Sequence, residues 1–219
     1  RIYLWYMSIT VFDVGANDGS STKHLWSNPN INLYLFEPDP KLAEQLVAST
    51  ANFPNVKFFQ YAVSNVAGEA QFNLAFGSGC NSLNTFVDNI DEIAPRRLDI
   101  RPLGQSVMVK VVTLAQFIEE NNIEKIDYLH CDVQGKDLEV LMGLGPHIDK
   151  VVKGVIEMPL NAKGRTYNEQ VYDSADGVRF LHDNGFIVES MDVNDQFGLE
   201  VNLHYHKIHQ SELDRHKYA

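Results

Sequence analysis

The chain has 219 residues, 44% of them hydrophobic and 21% charged, which suits one α/β domain with a substantial core. Its 18 basic and 29 acidic side chains leave a net charge of −11, against general nucleic-acid binding, although Arg96, Arg97 and Arg101 form a local basic cluster. No apolar run approaches a membrane span, and two distant cysteines, Cys80 and Cys131, argue against a disulfide framework and for a reducing, cytoplasmic setting.

The chain opens at Arg1 rather than at Met, and residues 2–7 read as the tail of an element that begins upstream. The run Val11-Phe12-Asp13-Val14-Gly15-Ala16-Asn17-Asp18-Gly19 follows, an apolar strand that carries an acid into a Gly-bounded turn. Gly allows close backbone approach to a ligand. Ser20, Ser21 and Thr22 then suit the start of a helix, whose free N–H groups would favour an anionic group. Ligands of open α/β sheets sit beyond the carboxyl ends of the strands, so this turn reads as a nucleotide site. The spacings G-x-G-x-x-G and G-x-x-x-x-G-K-[ST] are absent. Asp13 would repel a pyrophosphate and suits a positive group such as an ammonium.

A second apolar strand over 32–36 ends at Glu37-Pro38. Asp39-Pro40 reads as an N-cap with Pro at the first helical position, and Leu42, Ala43, Leu46 and Val47 follow at helical spacing. Glu37 lies where a strand-end acid reaches ribose hydroxyls. Its alternative is a solvated strand-end charge. Residues 56–61 form a third strand and 69–74 an extra one. Residues 75–106 lack periodicity, and so long a loop marks a functional cover or a mobile segment. There Ser78, Asn81, Ser82 and Asn84 suit hydrogen bonds to a polar acceptor, and Phe76 and Phe86 suit stacking.

A strand over 107–112 precedes Thr113, which caps a helix bearing Leu114, Phe117 and Ile118. The strand over 126–131 leads into Asp132, and a helix with Leu138, Leu141 and Met142 follows. Residues 151–156 form a strand that ends at Glu157. A helix over 168–184, with Val171, Ala175, Val178 and Leu181 inward, stops at Gly185. Strands over 186–191 and 200–207 are closely spaced, so they pair antiparallel at one sheet edge. The expected architecture is one domain over 1–219, with a mostly parallel sheet and helices on both faces.

His130 and Asp132 share a strand face at the ligand side of the sheet. Asp132 is the better placed to touch an acceptor. His130 reads either as a proton acceptor near neutral pH or as a packed strand histidine. Glu157 faces the same rim, or else forms a structural ion pair. Cys131 points away from both and reads as core, and Asp137 reads as the cap of its helix. Asp132, Glu157 and His130 also offer mixed metal donors, and His204 and His206 share a strand face. No spacing is diagnostic of a metal, so no metal is assigned.

The run from Val11 to Gly19, Phe36-Glu37-Pro38-Asp39-Pro40, Ala62-Val63-Ser64 with Gly68 after it, Val112-Thr113-Leu114, and Ile126-Asp127-Tyr128-Leu129-His130-Cys131-Asp132-Val133-Gln134-Gly135 occur in that order. Together they resemble the FkbM family of methyltransferases over about residues 10–160. The resemblance implies the seven-stranded Rossmann-like class I methyltransferase fold with its last strand antiparallel. It also implies S-adenosylmethionine as donor and a hydroxyl acceptor on a sugar or small metabolite. Asp13, Gly15, Asn17, Gly19, Glu37, Pro38, Ala62 and Val63 would then hold the cofactor, and Asp132, His130 and Glu157 would serve the acceptor. The family often has Lys where this chain has His130, Glu where it has Gln134, and Ala-Glu where it has Lys136-Asp137. Two other classes remain: a non-catalytic nucleoside-binding module of the same fold, and a nicotinamide-dependent oxidoreductase, which the missing second glycine and Asp13 disfavour.

Overall fold

The computed structural model describes residues 8–194 and 198–208, so the expected tail at 2–7 lies outside the described residues. In chain order the strands are β1 (Ile9–Val14), β2 (Ile31–Phe36), β3 (Val56–Phe59), β4 (Ala62–Val63) and β5 (Gly68–Ala75). They continue as β6 (Pro102–Val112), β7 (Tyr128–Cys131), β8 (Lys153–Pro159), β9 (Phe186–Val193) and β10 (Glu200–Lys207). Seven of them form one sheet in the order β3-β2-β1-β7-β8-β10-β9. Its pairs from β3 to β8 are parallel, and β10 runs antiparallel to both β8 and β9. This is the Rossmann-like methyltransferase topology that the motif order implied. The last two strands pair antiparallel at one sheet edge, as expected, with β10 between β8 and the edge strand β9.

A second, three-stranded sheet, β4-β6-β5, was not expected as a separate unit. The strands anticipated over 69–74 and 107–112 both belong to it. Chain-order reading cannot separate them from the main sheet, because β6 pairs antiparallel with β5 and parallel with β4.

Alternation along the strands places Phe12, Val14, Leu129, Cys131 and Ile156 in the larger core. Three helices supply its other wall: α3 (Leu114–Glu120), α4 (Asp137–Met142) and α5 (Ser174–Asp183). The opposite face buries Val11, Leu33 and Leu35 against Trp26 and Leu46 of α1 (Pro40–Thr50). A one-turn helix, α2 (Ile90–Ile93), lies within the long segment before β6.

Local chemistry explains the helix starts. Asp39 caps α1 by accepting from Lys41 N at 2.8 Å, and Thr113 caps α3 by accepting from Gln116 N at 3.1 Å. The last helix starts later than periodicity suggested. Asp173 and Asp176 form a reciprocal capping box at Ser174, so residues 168–173 stay outside the helix. Val171, expected inward, is exposed, as are Ala175 and Val47. Val178 and Leu181 pack inward as expected, joined by Gly177, where a Cβ would lie 2.9 Å from a methyl of Leu203.

Candidate functional site

Two clefts meet at the carboxyl ends of β1 and β7, where the strand order reverses. Gly15 makes their approach possible. It has φ +84°, and a Cβ there would lie 1.8 Å from the Asp132 carbonyl oxygen. The main chain is tied across the gap: Asp132 N donates to Val14 O at 3.0 Å, and Gly15 N and Ala16 N donate to Phe36 O at 3.0 and 2.9 Å.

The first cleft is a narrow one at the carboxyl ends of β1 and β2, beside β4. Gly15, Asn17, Glu37, Pro38, Ala62 and Val63 all line it, which unites six of the eight residues expected to hold a nucleotide. Glu37 is buried, and its two oxygens accept from Asn17 N at 2.9 Å and Asp39 N at 2.8 Å. Burial raises its pKa to about 7, against the pull of those two N–H groups. The carboxylate retains lone pairs for a ligand diol.

Asp13 and Gly19 do not line this cleft. Gly19 packs under the Trp26 ring, where a Cβ would lie 2.6 Å from ring carbon Cζ2. Asp13 is fully buried, accepting from the Thr22 hydroxyl at 2.6 Å and facing His130 Nδ1 at 2.8 Å. Its charge is met within the protein and is not presented to a ligand ammonium. The expected helix at Ser20–Thr22 is a series of turns and a 3-10 helix, Lys23–Leu25. No α-helix starts there, so the helix N-terminus expected to favour an anionic group is not formed.

His130 lines neither cleft, because its ring turns back to Asp13. Burial opposes its charged form, but the hydrogen bond and charge of Asp13, aided by Asp132 and Asp137, raise its pKa overall. The ring is thus satisfied inside the sheet, by Asp13.

The second cleft contains about 880 Å³ of empty space, and Gly79, Asp132 and Gln134 border both clefts. Asp132 and Glu157 meet here through Gln134, whose Nε2 donates to Asp132 Oδ1 at 2.7 Å and to Glu157 Oε2 at 2.8 Å. Asn194 Nδ2 donates to the other Glu157 oxygen. Burial, then the charges of Asp132, Glu200 and Asp137, hold the Glu157 carboxyl well above the usual range. Arg97 at the cleft's far side is bound to Asp99 at 2.7 Å and faces Glu200 at 3.5 Å, whereas Arg96 is exposed.

Asp137 does not cap its own helix. It accepts from Val133 N at 3.1 Å and Gly135 N at 3.2 Å, which braces the loop that carries Asp132 and Gln134. Its burial raises its pKa well above the usual range, and Cys131 beside it is buried core, its thiol pushed far up by the same burial.

The segment 75–106 covers both clefts, but most of its polar side chains are already engaged. Asn81 donates to Asp39 at 3.0 Å and accepts from Ala75 N at 2.8 Å. The Ser82 hydroxyl donates to Gln134 O at 2.6 Å, and Asn84 donates to Gly135 O at 3.1 Å. These bonds fasten the cover to the start of α1 and to the loop after β7, while Asn84 Oδ1 is buried with no protein partner. Ser78 bonds Asn17 at 3.1 Å at the first cleft. Phe86 packs on Tyr167 with ring centroids 5.3 Å apart, and Phe76 is exposed.

Sequence reasoning missed Gln134, Tyr167 and Asn194 as site residues. Gln134 alone left a signal, its place before Gly135 in a turn with φ +56°. Among the described residues, no group of three or more His, Cys, Asp or Glu is arranged to hold a metal ion, and His204 is paired with Asp192 at 3.0 Å. Nor is any described helix long and apolar enough to cross a membrane.

The family model Methyltransferase FkbM domain matches residues 13–188. The chain belongs to the FkbM methyltransferase family. It is 27% identical over 141 residues to the 2-O-methyltransferase NoeI of Sinorhizobium fredii, covering 61% of this chain and 56% of that one. It is 22% identical over 151 residues to the hexuronic acid methyltransferase AglP of Haloferax volcanii, covering 68% and 55%. The chain therefore spans little more than half the length of these two relatives. The fold matches solved structures at low identity. Magnesium protoporphyrin IX methyltransferase from Synechocystis aligns with a TM-score of 0.52 and 13% identity, covering 93% of this chain and 76% of that one. Aeropyrum pernix fibrillarin aligns with a TM-score of 0.51 and 12% identity, covering 94% and 70%.

The first cleft of this FkbM chain fits S-adenosylmethionine. Its floor is a glycine where any Cβ would collide, its rim holds the Glu37 carboxylate, and Val14, Val63, Phe72 and Leu83 supply an apolar wall.

Proposed function

We propose that this chain transfers a methyl group from S-adenosylmethionine to a hydroxyl of a sugar or small metabolite. The observation that carries this reading is that Asp132 borders both clefts, so one carboxylate reaches the cofactor space and the acceptor space. When bound, S-adenosylmethionine supplies an electrophilic methyl group. Gly15, Asn17, Glu37, Pro38, Ala62 and Val63 hold the nucleoside, with Glu37 accepting the ribose hydroxyls. Asp132 aligns the acceptor hydroxyl and takes its proton as general base. Asp132, Glu157 and Glu200 make the border of this cleft acidic, which suits a polyol better than a phosphate. The segment 75–106 excludes water over both clefts. The names of NoeI and AglP support a sugar hydroxyl as the target class.

The test is calorimetry with S-adenosylhomocysteine and with NAD, followed by labelled-methyl transfer to a panel of neutral sugars and hexuronic acids. Binding of the first ligand only, with label in a sugar ether, is the expected result. Binding of NAD alone would point to the oxidoreductase reading. Homocysteine-ligand binding without transfer to any acceptor would point to a nucleoside-binding module.

A further inference from the structure

Gln134 joins the two acids of the acceptor cleft, and nothing in its position is accidental. Its amide has a defined orientation. The Nε2 end meets one oxygen each of Asp132 and Glu157, and the Oε1 end receives the Tyr167 hydroxyl at 2.9 Å. A flipped amide would set its oxygen against the Asp132 carboxylate and its N–H groups against the Tyr167 O–H. Tyr167 is itself buried, and its hydroxyl also approaches Cys80 O at 3.0 Å. The Gln134 backbone is fixed independently by the Ser82 hydroxyl on its carbonyl. The two acids differ in setting. Asp132 is partly exposed and borders both clefts, whereas Glu157 is buried and borders only the acceptor cleft of the two.

We propose that Gln134 is a positioning residue: oriented by Tyr167, its amide holds Asp132 and Glu157 as an unequal pair, Asp132 free to meet the acceptor hydroxyl and Glu157 withheld behind it. A neutral donor between two acids lets them stand within one amide's reach without a bound cation. The proton from the acceptor hydroxyl would pass to Asp132 as the oxygen–methyl bond forms and the sulfur–methyl bond breaks, with S-adenosylhomocysteine as the leaving group, while Glu157 neither gains nor loses a proton. The groups facing Glu157 are Asp132 at the end of β7, Asp137 of α4 and Glu200 of β10, the last opposed by Arg97. That acidic surrounding, together with burial, keeps Glu157 protonated where an ordinary carboxyl would ionise.

This inference rests on the proposed role of Asp132, so the test has one arm that needs no acceptor. Carbon-labelled glutamate carboxyls are titrated by NMR in the wild type, Gln134→Glu and Tyr167→Phe, with Glu157 assigned from Glu157→Gln. The second arm is the pH profile of methyl transfer for the same proteins, with S-adenosylhomocysteine affinity and thermal melting as controls. In the wild type, Glu157 is expected to titrate above the ordinary carboxyl range near about 4.3. Gln134→Glu keeps the shape but bridges only while protonated. Its turnover should match the wild type within about threefold at acid pH and fall about tenfold or more as pH rises, with cofactor affinity unchanged. Tyr167→Phe frees the amide and should lower kcat more than it raises KM. Titration of wild-type Glu157 in the ordinary range would overturn the proposal. So would superimposable pH profiles for all three proteins. If the wild type binds the homocysteine ligand but methylates nothing, the acceptor reading fails and the titration alone decides Gln134. If Gln134→Glu does not fold, Tyr167→Phe decides.

Discussion

His130 Nδ1 and Asp13 Oδ1 stand 2.8 Å apart across the parallel pair β1–β7, in direct register and on one face of the sheet. This pair sits at the topological switch point but lines neither cleft. It joins the two strands whose ends carry Gly15 and Asp132. Breaking it should therefore cost stability before chemistry. His130→Gln loses a charged hydrogen bond and should destabilise by about 1.5–3 kcal/mol. The folded-state pKa of His130 is raised, so its stabilising contribution is full below the unfolded value of about 6.5 and is lost as pH rises through the folded value. Urea melts should thus show a larger gap between wild type and variant at acid than at alkaline pH. Equal gaps would remove the ion pair from the account.

Cofactor affinity should depend on Glu37 ionisation. Its pKa near 7 in the free protein means that the carboxylate is partly protonated at neutral pH. A ligand diol binds the ionised form, so affinity should rise with pH and be roughly tenfold weaker at about pH 6 than at pH 8. Glu37→Gln should flatten that profile and weaken binding by about 1–3 kcal/mol. Calorimetry across pH reads both effects, and an unchanged affinity would take Glu37 out of the site.

Gly15→Ala should damage fold and site together. A left-handed backbone costs a non-glycine residue about 1–2 kcal/mol, and the overlap with the Asp132 carbonyl adds to that. The expected outcome is a lower melting temperature and weaker S-adenosylhomocysteine binding. A variant that melts like the wild type would show that β1 and β7 can part without penalty.

Asp132→Asn keeps the shape of the junction and removes its charge. Turnover should fall by about 10²–10⁴-fold while cofactor affinity holds. Full activity in steady-state assays would exclude Asp132 as the base. Parallel loss of affinity would make it a binding residue instead.

Asn81→Ala should loosen the cover without unfolding the sheet. It removes the links to Asp39 and to Ala75 N, worth about 0.5–1.5 kcal/mol each. Faster release of the homocysteine product in stopped-flow displacement is the expected sign, and an unchanged rate would mean that the cover does not gate the cleft.

Much of the cofactor side was legible in the sequence because its signals are local. Gly15, Glu37 and Pro38 follow strands within a residue or two, and the cap at Asp39 fixes where α1 begins. The acceptor side was less legible because its partners are distant in sequence. Tyr167 reaches Gln134 from the residue just before the helix that periodicity assigned to 168–184, 33 positions along the chain, and nothing local links the two. Asp13 looked like a ligand contact because its partner, His130, is set by strand register, and no local pattern encodes register between parallel strands. The polar residues of the cover looked available because side chains engaged by the main chain of another segment leave no trace in composition.

The insertion of β10 between β8 and β9 sets an order of assembly. During synthesis β9 emerges before the strand that must separate it from β8, so an early β8–β9 pairing would have to be avoided or undone. Only when residues 200–207 are out of the ribosome can the sheet close, and Glu200 then meets Arg97, itself made long before. The wall of the second cleft is thus completed only by β10, and a nascent chain cut short of that strand would carry a nearly complete first cleft beside an unfinished second one.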